Sequence, residues 1–203
     1  GVDPRAKAEI EHGVQMVRPD QGEGYTGFGP AGIWVAELDE TPGDYAAKKI
    51  IRLTNDEFWY GDPQWSADGK KVVVHANRSD DQESVRYSIN KNYDLWEIDV
   101  ATKRLRQLTE GAGPEFSPRF SPDGSRLICL ISPRRGPHQD IYNLAIVTSG
   151  ENAATRIVYN FRAPNIDFQK TPSPGMSLLE DCWVDDQHVL YDASAGLQTK
   201  RYM

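Results

Sequence analysis

Apolar positions in this chain fall into short runs, none with the 3.6-residue period of an amphipathic helix sustained over several turns. Residues 33–38 (IWVAEL), 49–53, 71–76, 94–100 (DLWEIDV), 104–108, 116–120, 126–131, 140–147 (DIYNLAIV), 155–159, 180–184 and 188–193 each read as a strand. Several are apolar almost throughout, as in Val72-Val73-Val74, where a strand with one wet face would alternate. Both faces of such strands expect cover. Turn chemistry separates them. In Ser121-Pro122-Asp123-Gly124 the proline presets φ for one corner, the aspartate can bond its own backbone, and the glycine accepts φ > 0. The amino-terminal part is less regular. Asp3-Pro4 followed by 5–11 fits two helical turns, a strand over 10–18 competes with it, and 19–32, with five Gly and two Pro, reads as a loop.

The pattern repeats. Residues 62–78 (DPQWSADGKKVVVHANR) and 116–134 (FSPRFSPDGSRLICLISPR) share Pro, one residue, an aromatic, Ser, one residue, Asp-Gly, a basic position, an apolar strand and Arg. Trp65 and Phe120 lie 55 residues apart, and so do Leu53 and Leu108, each of which is followed by Thr. One period holds four strands, the signature of propeller blades, and the long segment 77–93 stretches it beyond the usual length. The expected organisation is an amino-terminal segment, 1–31, then blades at about 32–54, 62–109, 116–159 and 178–203. Trp65, Phe120 and Trp183 occupy one place in successive units and are expected in the core between blades, with His75 and His188 packed in strands. In the fourth unit, Trp183-Val184-Asp185-Asp186-Gln187 lacks the glycine, so its turn should differ.

The combination of Pro-x-aromatic-Ser-x-Asp-Gly, an apolar strand, Asp-(Leu/Ile)-aromatic and Leu-Thr resembles the WD40-like repeat of the TolB family. It also resembles the propeller domain of prolyl-oligopeptidase-family peptidases, and the likeness covers about residues 32–195. It implies an all-β fold of four-stranded antiparallel blades. Such propellers close with about six to eight blades, whereas about two full and two partial blades are encoded here. A piece of a larger protein, two copies closing one ring, or an open array with protected ends are the three expectations. A periplasmic or extracellular location follows from the resemblance alone.

Charge and composition narrow the functions. A net charge of -7 argues against a broad nucleic-acid surface, which needs clustered cations. No apolar run approaches the roughly 18 residues of a membrane span. Cys129 and Cys182 both sit in apolar stretches and are expected as buried free thiols. No G-x-S-x-G nucleophile motif occurs. The histidines His12, His75, His138 and His188 are not at metal-ligand spacing. Asp80-Asp81-x-Glu83 has oxygen ligands suited to Ca²⁺ but not the spacing of a calcium loop, so a solvated acidic loop is expected. Neither a cofactor nor a metal site is expected. A carboxylate pair for glycosidase or lyase chemistry depends on separations in space that spacing does not give.

Strand parity sorts the loops into two ends. One end receives short turns (66–69, 101–103, 121–124). The other receives the long, varied segments 55–62, 77–93, 132–139 and 160–177, where function concentrates on a rigid scaffold. The candidate binding residues there are Trp59, Tyr60, Arg78, Tyr87, Arg134, Arg135 and His138, beside Asp80, Asp81, Glu83, Arg86 and Arg162. Mixed charge with aromatics suits a protein or peptide partner, and the adjacent Arg134-Arg135 pair suits a carboxylate or phosphate. The expected function is non-catalytic protein or peptide binding. The alternatives are the gating propeller of a prolyl-oligopeptidase-like peptidase and a polysaccharide lyase or glycosidase propeller. Self-association to close the ring is a further expectation.

Overall fold

The computed structural model describes residues 31–39, 47–78, 92–110, 114–131, 143–148, 155–159, 173–174, 178–195 and 198–203. The elements among them are strands: β1 Trp34–Leu38, β2 Ala47–Arg52, β3 Trp59–Trp65, β4 Lys71–Asn77, β5 Asp94–Asp99, β6 Leu105–Gln107 and β7 Glu115–Phe120, followed by β8 Arg126–Ile131, β9 Asn143–Thr148, β10 Thr155–Tyr159, β11 Ser173–Pro174, β12 Tyr191–Ala195 and β13 Gln198–Tyr202. Chain neighbours pair, giving the sheets β1–β2, β3 to β6, β7 to β10 and β11 to β13. The fold is all-β, built of propeller blades: two of four strands and two partial ones among the described residues. The chain divides into two compact units, Gly1–Tyr60 with Asn77–Asn90, and Gly61–Ala76 with Lys91–Met203.

The recurring Leu-Thr has a structural reason that appears once in each unit. In the first, Leu53 N–H donates to the Ile33 carbonyl at 2.9 Å, and Ile33 N–H donates to Thr54 Oγ1 at 2.9 Å. In the second, Leu108 N–H donates to Leu95 O at 2.8 Å, and Leu95 N–H donates to Thr109 Oγ1 at 2.9 Å. Leucine fills the core while threonine satisfies a backbone donor that the departing outer strand leaves open. The next inner strand then attaches two residues upstream, Tyr60 N–H to Ala31 O at 3.1 Å and Glu115 N–H to Tyr93 O at 2.7 Å.

The inner strands share a second device. Asp62 and Ser117 both adopt positive φ, 52° and 54°, immediately before Pro63 and Pro118. A residue before proline normally stays extended. At Ser117 the β7–β8 register shifts between Phe116 and Arg119, a bulge that re-aims the side chains after it.

Two apolar seams hold the second unit. Val73, Leu95 and Leu108 of one blade meet Leu127, Cys129, Ala145 and Val147 of the next, with Phe120 against them. On that blade's other face, Ile128, Leu130 and Leu144 meet Leu178 and Cys182, with Trp183, Val189 and Tyr191 alongside. This explains the continuously apolar strands: each face of β8 belongs to a different seam. Burying one such Leu or Ile side chain contributes about 1.5–3 kcal/mol. Both cysteines are free and buried.

Two expectations change. Trp65 is 49% exposed, not buried between blades. Phe120, at the same motif position, packs into the seam with the preceding blade. His188 is an exposed turn residue whose Nδ1 sits 2.9 Å from Asp185, because the fourth unit turns one residue earlier than the others. Val184 N–H bonds His188 O, where Ser66 and Ser121 bond Lys71 O and Arg126 O. Without the glycine, Asp185 supplies the turn by accepting from the Gln187 and His188 N–H groups. His75, by contrast, lies packed in β4, half-buried with its ring edge-on to Tyr93 at 4.9 Å between centroids.

Candidate binding face

The two ends of the blades differ in how their polar groups are used. At the short-turn end, Ser66 Oγ accepts from Lys71 N–H at 3.0 Å and lies 2.7 Å from Asp68 Oδ1. Ser121 repeats this, with Arg126 N–H at 3.1 Å and Asp123 Oδ1 at 2.6 Å. Gly69 and Gly124 take the left-handed φ values of 68° and 70° that close each turn. Hydrogen bonds from Ser121 and from the Ser125 N–H and hydroxyl hold the Asp123 carboxyl down to about 2. This end is committed to its own geometry.

A second polar cluster lies within the first unit. Arg78, directly after β4, ion-pairs with Asp56 at 2.5 Å, lies against the Tyr60 hydroxyl, and places its guanidinium 4.3 Å from the centre of the Phe58 ring. Tyr60 O–H donates to Asp56 Oδ2 at 2.7 Å. Burial opposes charge on Asp56, yet the hydrogen bonds from Tyr60 and Arg78 and the Arg78 charge hold its carboxyl below the ordinary range. Burial, then the bond to Asp56, pushes the Tyr60 phenol up. The arrangement stabilises an anion at Asp56 and leaves a half-exposed cation–π surface formed by Arg78 and Phe58.

The structure therefore brings Tyr60 and Arg78 together and gives them a local partner, Asp56, that spacing alone did not single out. Tyr60 is 5% exposed. It is the second residue of β3 instead of lying in the connecting loop, and it acts by bracing Arg78. Trp59 is half-buried beside it at the start of β3, its indole Nε1 enclosed. Tyr87, Arg134, Arg135 and His138, with Asp80, Asp81, Glu83, Arg86 and Arg162, lie outside the described residues. Among the described residues, no group of three or more His, Cys, Asp or Glu side chains is placed to hold a metal ion, and no helix is long and apolar enough to cross a membrane.

Two further polar groups went unnoticed in the sequence. Arg119 is the variable residue of the Pro-x-aromatic motif. It is 5% exposed and ties three consecutive repeats together. Its Nη1 donates to Asp62 Oδ1 at 2.9 Å and to Pro118 O at 2.8 Å. Its Nε reaches Leu179 O at 3.1 Å and its Nη2 reaches Leu178 O at 3.3 Å. Trp183 Nε1–H then donates to the Arg119 carbonyl at 3.0 Å. Glu115, at the position that Tyr60 holds one repeat earlier, is 1% exposed. It accepts from Thr109 Oγ1 at 3.2 Å. Burial, and next its hydrogen bond and repulsion with Asp94, push its carboxyl up from 4.5 to about 8. A charged residue inside an otherwise apolar inner strand was the available signal for both.

Seams and Leu-Thr clamps repeated along the chain fit a TolB-like β-propeller repeat, and curated proteins of that kind are similar in sequence. No protein-family model matches the chain. The chain is 27% identical over 116 residues to the Tol-Pal system protein TolB of Francisella tularensis, covering 57% of this chain and 23% of that protein. It is 28% identical over 102 residues to dipeptidyl-peptidase 5 of Porphyromonas gingivalis, covering 49% of this chain and 14% of the peptidase. The chain thus spans less than a quarter of the curated relatives it matches. Among solved structures, TolB from Acinetobacter baumannii superposes with a TM-score of 0.49 at 17% identity, covering 78% of this chain and 32% of that one.

Proposed function

We propose that this stretch of propeller binds a protein or peptide through its long-loop end, without catalysis of its own. The observation that carries the reading is the contrast between the ends. The short-turn end spends its polar groups on repeated internal turns, whereas the other end presents the braced Arg78–Phe58 surface at the root of segments rich in Arg, Asp and Tyr. The similarity to a Tol-Pal system protein and to a dipeptidyl-peptidase favours a polypeptide ligand. Panning the chain against a phage-displayed peptide library tests this. Peptides that bind the native chain and lose at least tenfold in affinity against Arg134→Ala/Arg135→Ala support the reading. Absence of enriched peptides, or equal binding by the variant, overturns it.

Two other roles are proposed beside it. The peptidase similarity favours a gating propeller in a longer enzyme. A downstream region with a G-x-S-x-G elbow in the parent reading frame selects that role, and a frame without one removes it. The β1–β2 sheet favours self-association. Trp34, Leu38 and Ile50 are 57%, 52% and 63% exposed, and Ala36 pairs with Ile50 on that face. Trp34 matches Trp96 of the next repeat, on the side of a blade that in both seams of the second unit receives the preceding blade. We assign a blade of a second copy as its cover. Light scattering at twice the 22.8 kDa chain mass, reduced to a single mass by Ile50→Lys, is the expected result. A monomer at every concentration excludes it.

A further inference from the structure

Consecutive repeats meet their inner strands in the same way, but with different chemistry at one position. In the first unit, the second residue of the inner strand is Tyr60, whose hydroxyl donates to a carboxylate, Asp56, at 2.7 Å. In the second unit, the corresponding residue is Glu115, again hydrogen-bonded to an aspartate, Asp94. A phenol brings its own proton to such a contact. Two carboxylates cannot make it, because both only accept; one must be a carboxylic acid.

The surroundings fix which one. Glu115 is 1% exposed, which opposes charge there; the Thr109 hydroxyl, donating to Oε2 at 3.2 Å, favours the anion but does not offset the burial. Asp94 accepts from Gln107 Nε2 at 3.2 Å in an exposed bond, so the charged form is better solvated there. The groups facing Glu115 are Asp94 from β5, Thr109 from the tail of β6, and the Cys129 thiol from β8, on which Glu115 acts electrostatically. His75 lies nearby, its ring against Tyr93 and Phe116. The backbone bonds of the joint are immediately adjacent: Glu115 N–H to Tyr93 O at 2.7 Å, and Leu95 N–H to Thr109 Oγ1 at 2.9 Å.

We propose that Glu115 keeps its proton in the folded chain and donates it to Asp94, making the joint between the second and third blades a proton-held latch that loosens in alkaline solution. When the proton leaves for solvent, two anions face each other, one of them in the core. No bond other than O–H is broken, and the joint responds by opening at the Leu95 and Glu115 amides. The position lies at the long-loop end, so the latch sits at the root of the link from the second blade to the third.

The sign follows from linkage. The folded state holds a proton that the unfolded state releases near the ordinary glutamate value, so this group's contribution to stability is complete below about 4.5 and is lost as pH rises to about 8. Across that window the unfolding constant rises by up to about tenfold per pH unit from this group alone.

The test is a side-chain carboxyl ¹³C titration of the native chain, joined to urea unfolding at a series of pH values for native and Glu115→Gln protein. The expected result is a Glu115 resonance that titrates above neutrality, and a native-minus-variant difference in stability that shrinks as pH rises. The Leu95 and Glu115 amides, corrected for intrinsic exchange, should exchange faster at pH 9 than at pH 6 relative to the Val73 amide. A Glu115 resonance that titrates as an ordinary glutamate overturns the proposal even if Glu115→Gln fails to fold. So does a native-minus-variant difference that is flat across the window.

Discussion

Replacing Arg119 by alanine tests whether one guanidinium holds three repeats together. The side chain is 6% exposed and pairs with Asp62, itself 23% exposed, and it also serves the carbonyls of Pro118, Leu178 and Leu179. Hydrogen bonds to a charged group are worth about 1.5–3 kcal/mol each, but four do not add. Water reaches Asp62, and the carbonyls retain a second lone pair. Removing one partner of a buried pair costs about 3–5 kcal/mol, so the partial exposure of Asp62 places Arg119→Ala near the lower bound, at about 3 kcal/mol. Arg119→Lys keeps the charge but loses the fork that reaches Asp62 and three carbonyls at once, and should recover less than half of that loss. Urea unfolding gives the global value. Hydrogen exchange at Leu190, whose amide bonds Cys182 O, reports whether the fourth unit detaches first. An Arg119→Ala protein within about 0.5 kcal/mol of the native chain, the range of ordinary surface changes, would refute the reasoning.

Gly61→Ala places a Cβ 2.4 Å from His75 Nε2, a clash expected to cost about 1–3 kcal/mol in thermal melts and to be relieved by adding His75→Ala. Tyr60→Phe leaves Asp56 without its phenolic donor; a loss of about 1–2 kcal/mol in chemical denaturation is expected, with no loss if water replaces the hydroxyl freely. Asp123 is held at about 2, below the ordinary 3.8. Its contribution is therefore present above 3.8 and disappears as pH falls through about 2, so Asp123→Asn should flatten the acid limb of a stability–pH curve and leave the shape above pH 5 unchanged.

The repeat was legible because its determinants are local. Asp-Gly after Ser demands one turn, and Leu-Thr demands one clamp, wherever they occur. The fourth turn was legible as an exception because it lacks the glycine, although not in its form, a capping aspartate. What escaped was non-local. Arg119 stands between Pro118 and Phe120 in a position that looks like a spacer, and its role depends on a bulge at Ser117 and on carbonyls about 60 residues away. Trp65 illustrates the reverse case: an identical motif position has different exposure because burial depends on the neighbour and not on the motif. At the candidate site, Tyr60 and Arg78 were legible as residue types beside long segments, but their mutual bracing through Asp56 required the fold.

The two cysteines lie in different seams. Cys129 is enclosed where the second blade meets the third, and Cys182 where the third meets the fourth. Burial pushes both thiols up, that of Cys182 to about 11, so neither reacts while its seam is shut. The chain thus carries one chemical clock per seam. The rate at which each sulfur becomes alkylated counts how often that boundary opens, independently of the other and without a reporter residue being engineered in.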